Sequence, residues 1–394
     1  MIKYIDEVEI QNKRVLVRVD YNVSFKKDGS INDDTRIKNS LPTLLLLLKG
    51  QNKLILMSHL GKPKGRDMAF SMKPVAKRLQ EYLPDYSIRL IDDFLSLATP
   101  EVVHGQKEKE ILILENTRFY EGEKKNDPQF SKQLAGLGEV FVDDAFGSVH
   151  RAHASTVGVA EFIPSFGGLL LKREVTIIKN AIEAPERPVV AIIAGAKVSS
   201  KIGLIEKLMK TADTVLIGGA MTNNFLAAQG LEIGRGLVET EYIPEAQRLL
   251  NLAKTLHKEI VLPVDRRIGS QNDETSIPVI KKVGDISTND ETLDIGPETE
   301  TLFAGHIAKA KTVIWNGPVG YFENPAFAKG SIAIYEAILN NPGVISILGG
   351  GDTLSVIKKL PNKDKITHIS TGGGAMLELI EKGTLPGLDA LDKS

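Results

Sequence analysis

The sequence contains no cysteine among its 394 residues. A disulfide framework, a thiolate nucleophile and a cysteine-based zinc site are therefore all excluded. Long apolar runs are missing too, since a run such as Leu44–Leu48 is far too short to cross a bilayer. The first residues carry no apolar segment of the signal-peptide type. We therefore expect a cytoplasmic protein with no membrane partner.

An excess of charge of either sign is also missing. The chain has 49 basic and 50 acidic residues, which gives a net charge of −1. Its composition therefore provides no general attraction to nucleic acid, and we expect no nucleic-acid partner. An apolar content of 42% with 25% charged residues is typical of a globular protein. A chain of this length predicts two domains.

The common nucleotide-binding motifs are absent as well. No P-loop of the form G-x-x-x-x-G-K-[ST] occurs, because Gly61 and Lys62 are followed by Pro63. No G-x-G-x-x-G follows the first apolar run, which weakens the case for a dinucleotide-dependent dehydrogenase. The protein-kinase signatures are missing. A phosphate-binding site in this chain must therefore use another arrangement.

What is present is a regular alternation of apolar runs with segments of helical spacing. The apolar runs are Val15–Val19, Leu54–Met57, Ile111–Leu114, Val140–Val142, Val189–Ala194, Thr214–Ile217, Ile260–Leu262, Thr312–Trp315, Val344–Leu348 and Ile366–Ser370. The helical segments are Thr35–Lys49, Ser71–Leu83, Lys172–Ala184, Ser199–Lys210, Pro244–His257 and Phe327–Leu339. Runs that are apolar throughout suit parallel strands buried on both faces. The pattern predicts an α/β protein with two doubly wound, Rossmann-like parallel sheets.

A domain boundary is predicted in the middle of the chain. The segment Pro164–Gly168 has the composition of a loop, and a helix is expected from Leu169 until the prolines at 185 and 188 end it. We predict an N-terminal domain over residues 1–168, a connector helix over 169–187 and a C-terminal domain over 188–382. A cleft between the two domains is expected.

Two triple-glycine turns, Gly349–Gly351 and Gly372–Gly374, lie near the C-terminus. Each follows an apolar run and precedes a helical segment, so each is expected to present backbone N–H groups to an anion. Two such turns predict a phosphate-rich ligand. Asp352, directly after the first turn, suits Mg²⁺ as an oxygen ligand. Its alternative role is to cap the helix that follows.

Further candidate nucleotide contacts lie at other strand ends of the second half. Lys197 and Lys201 are four residues apart, so on a helix they would share one side and hold an anion between them. The alternative is a pair of solvated surface lysines. The Gly218–Gly219 pair offers backbone against which a flat ring can lie. Glu323 suits a ribose hydroxyl pair, unless it is a solvated loop residue.

In the first half, cationic side chains follow successive strands. Arg36, His59, Lys62, Arg118 and Arg151 lie at or beyond these strand ends, with Asp34 as the expected helix cap before Arg36. Open α/β sheets bind ligands at the carboxyl ends of their strands. Singly, each cation is more typical of a surface residue. Together they predict a site for one small, highly anionic molecule.

The motifs that carry these residues, in this order, resemble the phosphoglycerate kinase family over essentially the whole chain. They are Arg18–Val23, Asp33–Arg36, Ser58–Gly61, Glu115–Phe119, Asp144–Gly147 with His150–His153, Gly195–Val198 with Lys201, Trp315–Pro318, Gly349–Asp352 and Ile369–Ala375. The resemblance implies a glycolytic enzyme that transfers a phosphoryl group reversibly from 1,3-bisphosphoglycerate to MgADP, giving 3-phosphoglycerate and MgATP. It also implies a monomer that closes its domains around the substrates, with residues 383–394 completing the N-terminal domain.

The resemblance also implies the residues of the site. The triose would be bound by Asp20, Tyr21, Asn22, Arg36, His59, Leu60, Gly61, Lys62, Arg118 and Arg151. The nucleotide would be bound by Gly195, Ala196, Lys201, Gly218, Gly219, Pro318, Glu323, Gly350, Gly351, Asp352 and Thr353, with Asp352 toward Mg²⁺. The transferred group would be met by Arg36, Lys197, Lys201, Gly373 and Gly374.

Two positions depart from the family pattern. Lys62 stands where the family usually has arginine, so this contact loses the bidentate fork of a guanidinium. Ala220 stands where a third glycine is usual, which affects the expected fit around the adenine. Two rival functions remain open at this point: a two-domain dehydrogenase of the NAD type, and a non-catalytic, two-lobed anion-binding protein.

Overall fold

The structure is a computed structural model that describes residues 1–96, 99–273 and 275–393. The chain divides into two compact units. Unit 1 contains Met1–Thr176 together with the C-terminal segment from Thr384 onward, and unit 2 contains Ile177–Gly383. The expected return segment 383–394 ends on Ser394, which lies outside the described residues.

Unit 1 alternates strands and helices along most of its length. Its elements are β1 (Arg14–Arg18), α1 (Thr35–Lys49), β2 (Lys53–Met57), α2 (Lys73–Tyr82), β3 (Ser87–Ile91), α3 (Thr99–His104), β4 (Glu110–Leu114), α4 (Glu121–Lys125), α5 (Pro128–Ala135), β5 (Val140–Asp143), β6 (Ser165–Gly167), the first part of α6 (Leu169–Glu183), and a last helix (Pro386–Lys393) that the chain reaches after leaving unit 2.

The six strands of unit 1 form one parallel sheet in the order β3-β4-β2-β1-β5-β6. The apolar residues of the central strands are almost completely buried, as expected when helices cover both faces. Arg18, the last residue of β1, is level with Met57 of β2 and with Asp143 of β5. The segments that follow these three strands therefore leave the sheet along the same edge.

Unit 2 has the same alternation with a small additional sheet. Its elements are β7 (Val189–Ala194), α7 (Ile202–Thr211), β8 (Thr214–Gly218), α8 (Thr222–Ala228), α9 (Ile243–Thr255), β9 (Glu259–Val261), β10 (Asp265–Ile268), β11 (Val279–Lys282), β12 (Thr292–Ile295), α10 (Pro297–Ile307), β13 (Thr312–Asn316), α11 (Lys329–Leu339), β14 (Ile345–Gly349), α12 (Gly351–Ile357), β15 (His368–Ile369) and α13 (Gly373–Lys382), which precedes α14, the Pro386–Lys393 helix of unit 1.

The main sheet of unit 2 is also parallel and six-stranded, in the order β15-β14-β13-β7-β8-β9. Asn316 at the end of β13 is level with Gly349 of β14 and Ile193 of β7, and Ala194 is level with Gly218 of β8. The carboxyl ends of four neighbouring strands thus lie side by side. The predicted α/β class with two doubly wound parallel sheets is confirmed.

The structure differs from the sequence-based prediction at several elements. The segment Pro164–Gly168 is not simply a loop, because Ser165–Gly167 forms the edge strand β6 beside β5. The antiparallel sheet β11-β10-β12 was not predicted. Its strands are short and rich in charged residues, so only their pairing with one another makes them strands. Within the described residues, no helix combines the length and the apolar character that a membrane span needs.

Candidate active site

In unit 1, cationic side chains from several strand ends and from α1 surround one histidine. His59 follows β2 and is buried. Burial lowers the pKa of the His59 imidazole well below its usual value, and the positive charges of Arg18, Arg118, Arg36 and Arg151 lower it further. Three of these arginines were predicted from the sequence. The fold therefore brings Arg36, His59, Arg118 and Arg151 into one field of positive charge.

The fourth arginine, Arg18, was missed because it lies within the first strand. Its guanidinium is buried, and its Nε donates a hydrogen bond to Ser155 Oγ at 2.9 Å. Its Nη2 contacts His59 Nδ1 at 3.0 Å. Because a guanidinium can only donate, His59 Nδ1 must accept, and the imidazole proton lies on Nε2. A charged residue directly after the apolar residues Val15–Val17 was the available signal.

Arg36 lies in the first turn of α1 and forms an ion pair with Asp20, which follows β1. The prediction that the Asp34 side chain caps this helix is wrong. The side chain of Asp34 does not cap α1, whereas Asp33 Oδ1 accepts a hydrogen bond from Thr35 N at 3.0 Å. The Asp34 carboxylate is occupied by Arg78 of α2, whose Nη2 lies 2.6 Å from Asp34 Oδ2.

A hydrogen-bond network orders the loop after β2. Asn22 Oδ1 accepts from Gly61 N at 2.8 Å, and Arg118 Nη1 donates to Gly61 O at 2.6 Å. Gly61 has a φ of +62°, and a Cβ there would collide with the ring of Phe70. Glycine is therefore required at this turn. Burial and the charge of Arg151 lower the pKa of Arg118 to about 10.

Three residues expected at the triose site are placed differently from this network. Tyr21 is fully buried, and its hydroxyl lies 2.8 Å from Ser40 Oγ. Leu60 is buried as well, with its backbone N–H donating to Asn116 Oδ1 at 3.2 Å. These two side chains therefore belong to the hydrophobic core of unit 1. Lys62 is exposed at the end of the same loop.

Arg151 is exposed, and its Nε donates to His150 Nε2 at 3.0 Å. The neighbouring His153 was not predicted as a site residue. Burial and the charge of Arg118 lower the pKa of His153 to about 3. Its Nδ1 lies 3.7 Å from Glu123 Oε1, and Glu123 also accepts from Ser155 Oγ at 2.7 Å. Glu123 is thus a buried carboxylate that contacts both His153 and Ser155. The four arginines that act on His59, namely Arg18, Arg36, Arg118 and Arg151, are called the positive cluster below.

In unit 2, the two candidate lysines lie in a turn and not on a helix. The helix α7 begins only at Ile202, so the expectation that Lys197 and Lys201 share a helical face is wrong. The turn is closed by a hydrogen bond from Lys201 N to Val198 O at 2.9 Å. Lys201 Nζ donates to Asn316 Oδ1. Burial lowers the pKa of Lys201, and the nearby charge of Asp352 opposes this shift.

The two triple-glycine turns pack backbone against backbone. A Cβ on Gly373 would lie 2.5 Å from Gly350 N, and a Cβ on Gly350 would lie 2.5 Å from Asn316 Nδ2. Gly350 also has a φ of +106°. A side chain at position 373 would collide with backbone, and one at position 350 would strain its own backbone and collide with the Asn316 side chain. The first turn of α13, which includes Gly373 and Gly374, has amides that the helix itself leaves without acceptors.

The residues after the first turn have two different environments. Asp352 is exposed in the first turn of α12 and is not its N-cap, because the cap position is Gly350. Thr353 is fully buried. Its hydroxyl donates to Gly349 O at 3.0 Å and accepts from Gly317 N at 2.7 Å. Thr353 therefore joins the strand ends of β13 and β14, next to the half-buried Pro318.

The turn after β8 explains one departure from the family pattern. Gly219 has a φ of +72°, and a Cβ there would lie 2.6 Å from Gly195 O. Ala220 does not have a positive φ, so alanine is compatible with this backbone. Ala196 and Glu323 are exposed on their loops.

The carboxylates of the site limit how a metal ion can be bound. Within the described residues, no group of three or more histidine, aspartate or glutamate side chains could hold a metal ion. Asp352 is a single exposed carboxylate near Lys201. Such a set suits Mg²⁺, which typically uses one or two carboxylates together with substrate phosphates and water.

Comparison with known proteins is consistent with these features. The family model described as phosphoglycerate kinase matches residues 5–383. The phosphoglycerate kinase of Dictyoglomus turgidum is 47% identical over 383 residues, covering 97% of this chain and 96% of the relative. That of Gloeobacter violaceus is 44% identical, covering 100% of this chain and 99% of the relative. The solved structure of phosphoglycerate kinase from Coxiella burnetii has a TM-score of 0.90 at 36% identity, covering 100% of this chain and 99% of the other. The chain therefore belongs to the phosphoglycerate kinase family, and it transfers a phosphoryl group reversibly from 1,3-bisphosphoglycerate to ADP, giving 3-phosphoglycerate and ATP in glycolysis.

Proposed function

We propose that the positive cluster of unit 1 binds the triose in this reaction. The observation that carries the proposal is the set of four arginine charges around the neutral His59. Phosphate and carboxylate groups are recognised well by arginine forks and by neutral donors such as His59 Nε2–H. The proposed triose contacts are Asp20, Asn22, Arg36, His59, Gly61, Lys62, Arg118 and Arg151, with Tyr21 and Leu60 supporting them.

The carboxyl edge of the main sheet in unit 2 is the proposed nucleotide site. Lys201 provides a cation there, and the strand-end glycines allow close approach of a ligand to the backbone. The exposed Glu323 is proposed to accept from ribose hydroxyls. The remaining proposed nucleotide contacts are Gly195, Ala196, Gly218, Gly219, Pro318, Gly350, Gly351, Asp352 and Thr353.

Asp352 is the proposed protein ligand of the Mg²⁺ that accompanies the nucleotide. When bound, the ion neutralises charge on the phosphate oxygens. The role of Asp352 is to fix the position of the phosphates through this ion. The adjacent Lys201 contributes a second positive charge to the same region.

The proposed mechanism is a direct, in-line transfer without a general base. The attacking group is a phosphate oxygen of ADP in one direction and a carboxylate in the other. A carboxylate has a pKa of about 4 and is already ionised near neutral pH. Catalysis then consists of positioning and of neutralising the charge of the transferred group. We assign this task to Arg36, Lys197, Lys201 and the amides of Gly373 and Gly374.

The proposal is tested by replacing Arg36 with alanine. Arg36→Ala is expected to lower kcat by about 100-fold or more, because removal of one charge-stabilising group commonly costs about 2.7–4 kcal/mol. A coupled assay with 3-phosphoglycerate and MgATP measures kcat. Lys38→Ala, which removes an exposed cation from the same helix, is the matched control and should leave kcat within twofold. Unaltered turnover in Arg36→Ala would refute its assigned role.

We also propose that the enzyme is a cytoplasmic monomer, as the family resemblance implies. Residues 169–187 are the proposed connector between a first domain, residues 1–168 completed by 383–394, and a second domain, residues 188–382. Sedimentation equilibrium at micromolar concentration tests the monomer, and cell fractionation tests the compartment.

A further inference from the structure

We propose that Glu239 is a positioning residue for phosphoryl transfer, because it holds the turn that carries Lys197. This turn, residues 197–201, is called the lysine turn below. The inference rests on the transfer role proposed above for Lys197. It assigns a function to a glutamate that no sequence motif singled out.

The contact between Glu239 and the lysine turn uses both carboxylate oxygens. Glu239 Oε2 accepts a hydrogen bond from Ser199 N at 2.9 Å, and Oε1 accepts from Ser199 Oγ at 2.6 Å. Both donors of Ser199, in the middle of the turn, are therefore occupied by one carboxylate. Hydrogen bonds to an ionised acceptor are about twice as strong as neutral ones. The carboxylate consequently fixes the backbone of the turn.

Glu239 is itself held by a buried residue. Asn224 of α8 donates from Nδ2 to Glu239 O at 2.6 Å and accepts from Glu239 N at 3.3 Å. The start of α8 is tied to the other end of the same loop, since Met221 N donates to Gly195 O at 3.0 Å. Glu239 thus connects the loop that follows β7 to the helix α8, which follows the neighbouring strand β8. A displacement of Glu239 would be transmitted to the lysine turn.

The negative charge of Glu239 lies near the positive charge of Lys197. Burial raises the pKa of the Glu239 carboxyl, but the Ser199 hydrogen bonds and the charge of Lys197 outweigh burial and lower the pKa overall. Glu239 is therefore ionised at neutral pH. Lys197 is exposed. The ammonium group remains available for an anionic ligand while its backbone is fixed.

A purely structural loop anchor would behave differently from a positioning residue. Loss of a loop anchor lowers stability and affects catalysis independently of Lys197. Loss of a residue that acts through Lys197 matters only while Lys197 is present. A double-mutant cycle separates these two cases, because residues that act as a unit are not additive.

The experiment compares Glu239→Ala, Lys197→Ala and the double variant in the coupled assay with 3-phosphoglycerate and MgATP. Misplacement of a catalytic group by about 1 Å can lower activity about 100-fold, so Glu239→Ala is expected to lower kcat by roughly 10- to 100-fold. Its KM for 3-phosphoglycerate should stay within about twofold, because the proposed triose contacts lie on unit 1. The double variant should be no slower than Lys197→Ala alone.

Two further variants keep the test conclusive. Glu241→Ala removes an exposed glutamate two residues away and is expected to leave kcat unchanged. Ser199→Ala removes one of the two hydrogen bonds, so it should lower kcat less than Glu239→Ala does. It also tests the contact if Glu239→Ala folds poorly. Additive losses in the double variant, or full activity in both Glu239→Ala and Ser199→Ala, would overturn the inference. Full activity in Lys197→Ala would instead overturn the proposed role of Lys197.

Discussion

At the scale of single residues, burial decides which groups around the sheet of unit 1 carry a charge. His59 is kept neutral by burial and by arginine charges, and His153 by the same two causes. Burial shifts the pKa in the opposite direction for two acids, one that ends β5 and one that directly follows it. It raises the pKa of Asp143 to about 7 and that of Asp144 to about 8. Neutral forms are favoured in all four cases because low-dielectric surroundings disfavour charge.

The raised pKa of Asp144 predicts a measurable dependence of stability on pH. The folded chain retains the Asp144 proton up to a pH of about 8, whereas the unfolded chain loses it near pH 4. The unfolded state binds fewer protons between these values, so stability is lost as the pH rises. Asp144→Asn keeps an oxygen that can accept from Leu170 N, now 2.9 Å from Oδ1, and cannot ionise.

We therefore expect the free energy of unfolding of Asp144→Asn to decrease less than that of the unmodified protein between pH 5 and pH 8. The difference is several kcal/mol, at about 1.4 kcal/mol for each unit of pKa difference. Chemical denaturation at a series of pH values measures it. Asp85→Asn, at an exposed position, is the control and should not alter the slope. Equal slopes in Asp144→Asn and the unmodified protein would show that Asp144 is ionised when folded.

At the scale of elements, the site of unit 2 depends on strand ends that approach very closely. The register places Asn316 level with Gly349, and Asn316 Nδ2 donates to Gly349 O at 2.7 Å. The second triple-glycine turn then lies directly against the first through Gly373 and Gly350. The two turns are therefore one structural feature. Either turn alone has the sequence of an ordinary strand-to-helix connection.

This packing predicts unequal effects of alanine at neighbouring glycines. A methyl group on Gly373 would lie 2.5 Å from Gly350 N, whereas one on Gly374 meets no atom within 4 Å. Gly373→Ala is expected to destabilise the protein by about 1–3 kcal/mol through overpacking. Gly374→Ala lies in a helix and is expected to be neutral or stabilising by up to about 1 kcal/mol. Denaturant midpoints measure both, and equal losses would argue against the close approach of the turns.

At the scale of the whole molecule, unit 1 is built from two parts of the chain that are distant in sequence. The chain leaves unit 1 in α6, forms unit 2, and returns with α14. Gly387 N donates to Val149 O at 2.9 Å, and Leu385, Leu388 and Leu391 are buried. The stability of unit 1 therefore depends on residues at the far end of the chain.

A pair of substitutions in α14 tests this dependence. Leu388→Ala is expected to lower the free energy of unfolding by about 2–5 kcal/mol, because it leaves a cavity among buried side chains. Lys393→Ala, at an exposed position of the same helix, should change it by less than about 0.5 kcal/mol. Guanidinium denaturation measures both values. A loss below 1 kcal/mol in Leu388→Ala would contradict the buried position of this leucine.

The elements that could be predicted were those whose pattern is local. The helix Thr35–Lys49 and the strand Val189–Ala194 have the predicted limits, because a helical period or an apolar run marks them along their whole length. The strand Ser87–Ile91 was missed, since its polar residues alternate with apolar ones at one end of the sheet. The edge strand Ser165–Gly167 was missed because its pairing with β5 makes it a strand.

The sequence by itself determined the α/β class, the family and the residue types available to the site, because these follow from periodicity and from motifs of fixed spacing. Only the tertiary structure decided which of those residues meet. It added the buried Arg18 to the cluster around His59, placed Lys197 and Lys201 in a turn, and joined Glu239 to that turn. Burial, register and long-range hydrogen bonds involve residues far apart in the chain, so local sequence patterns do not contain them.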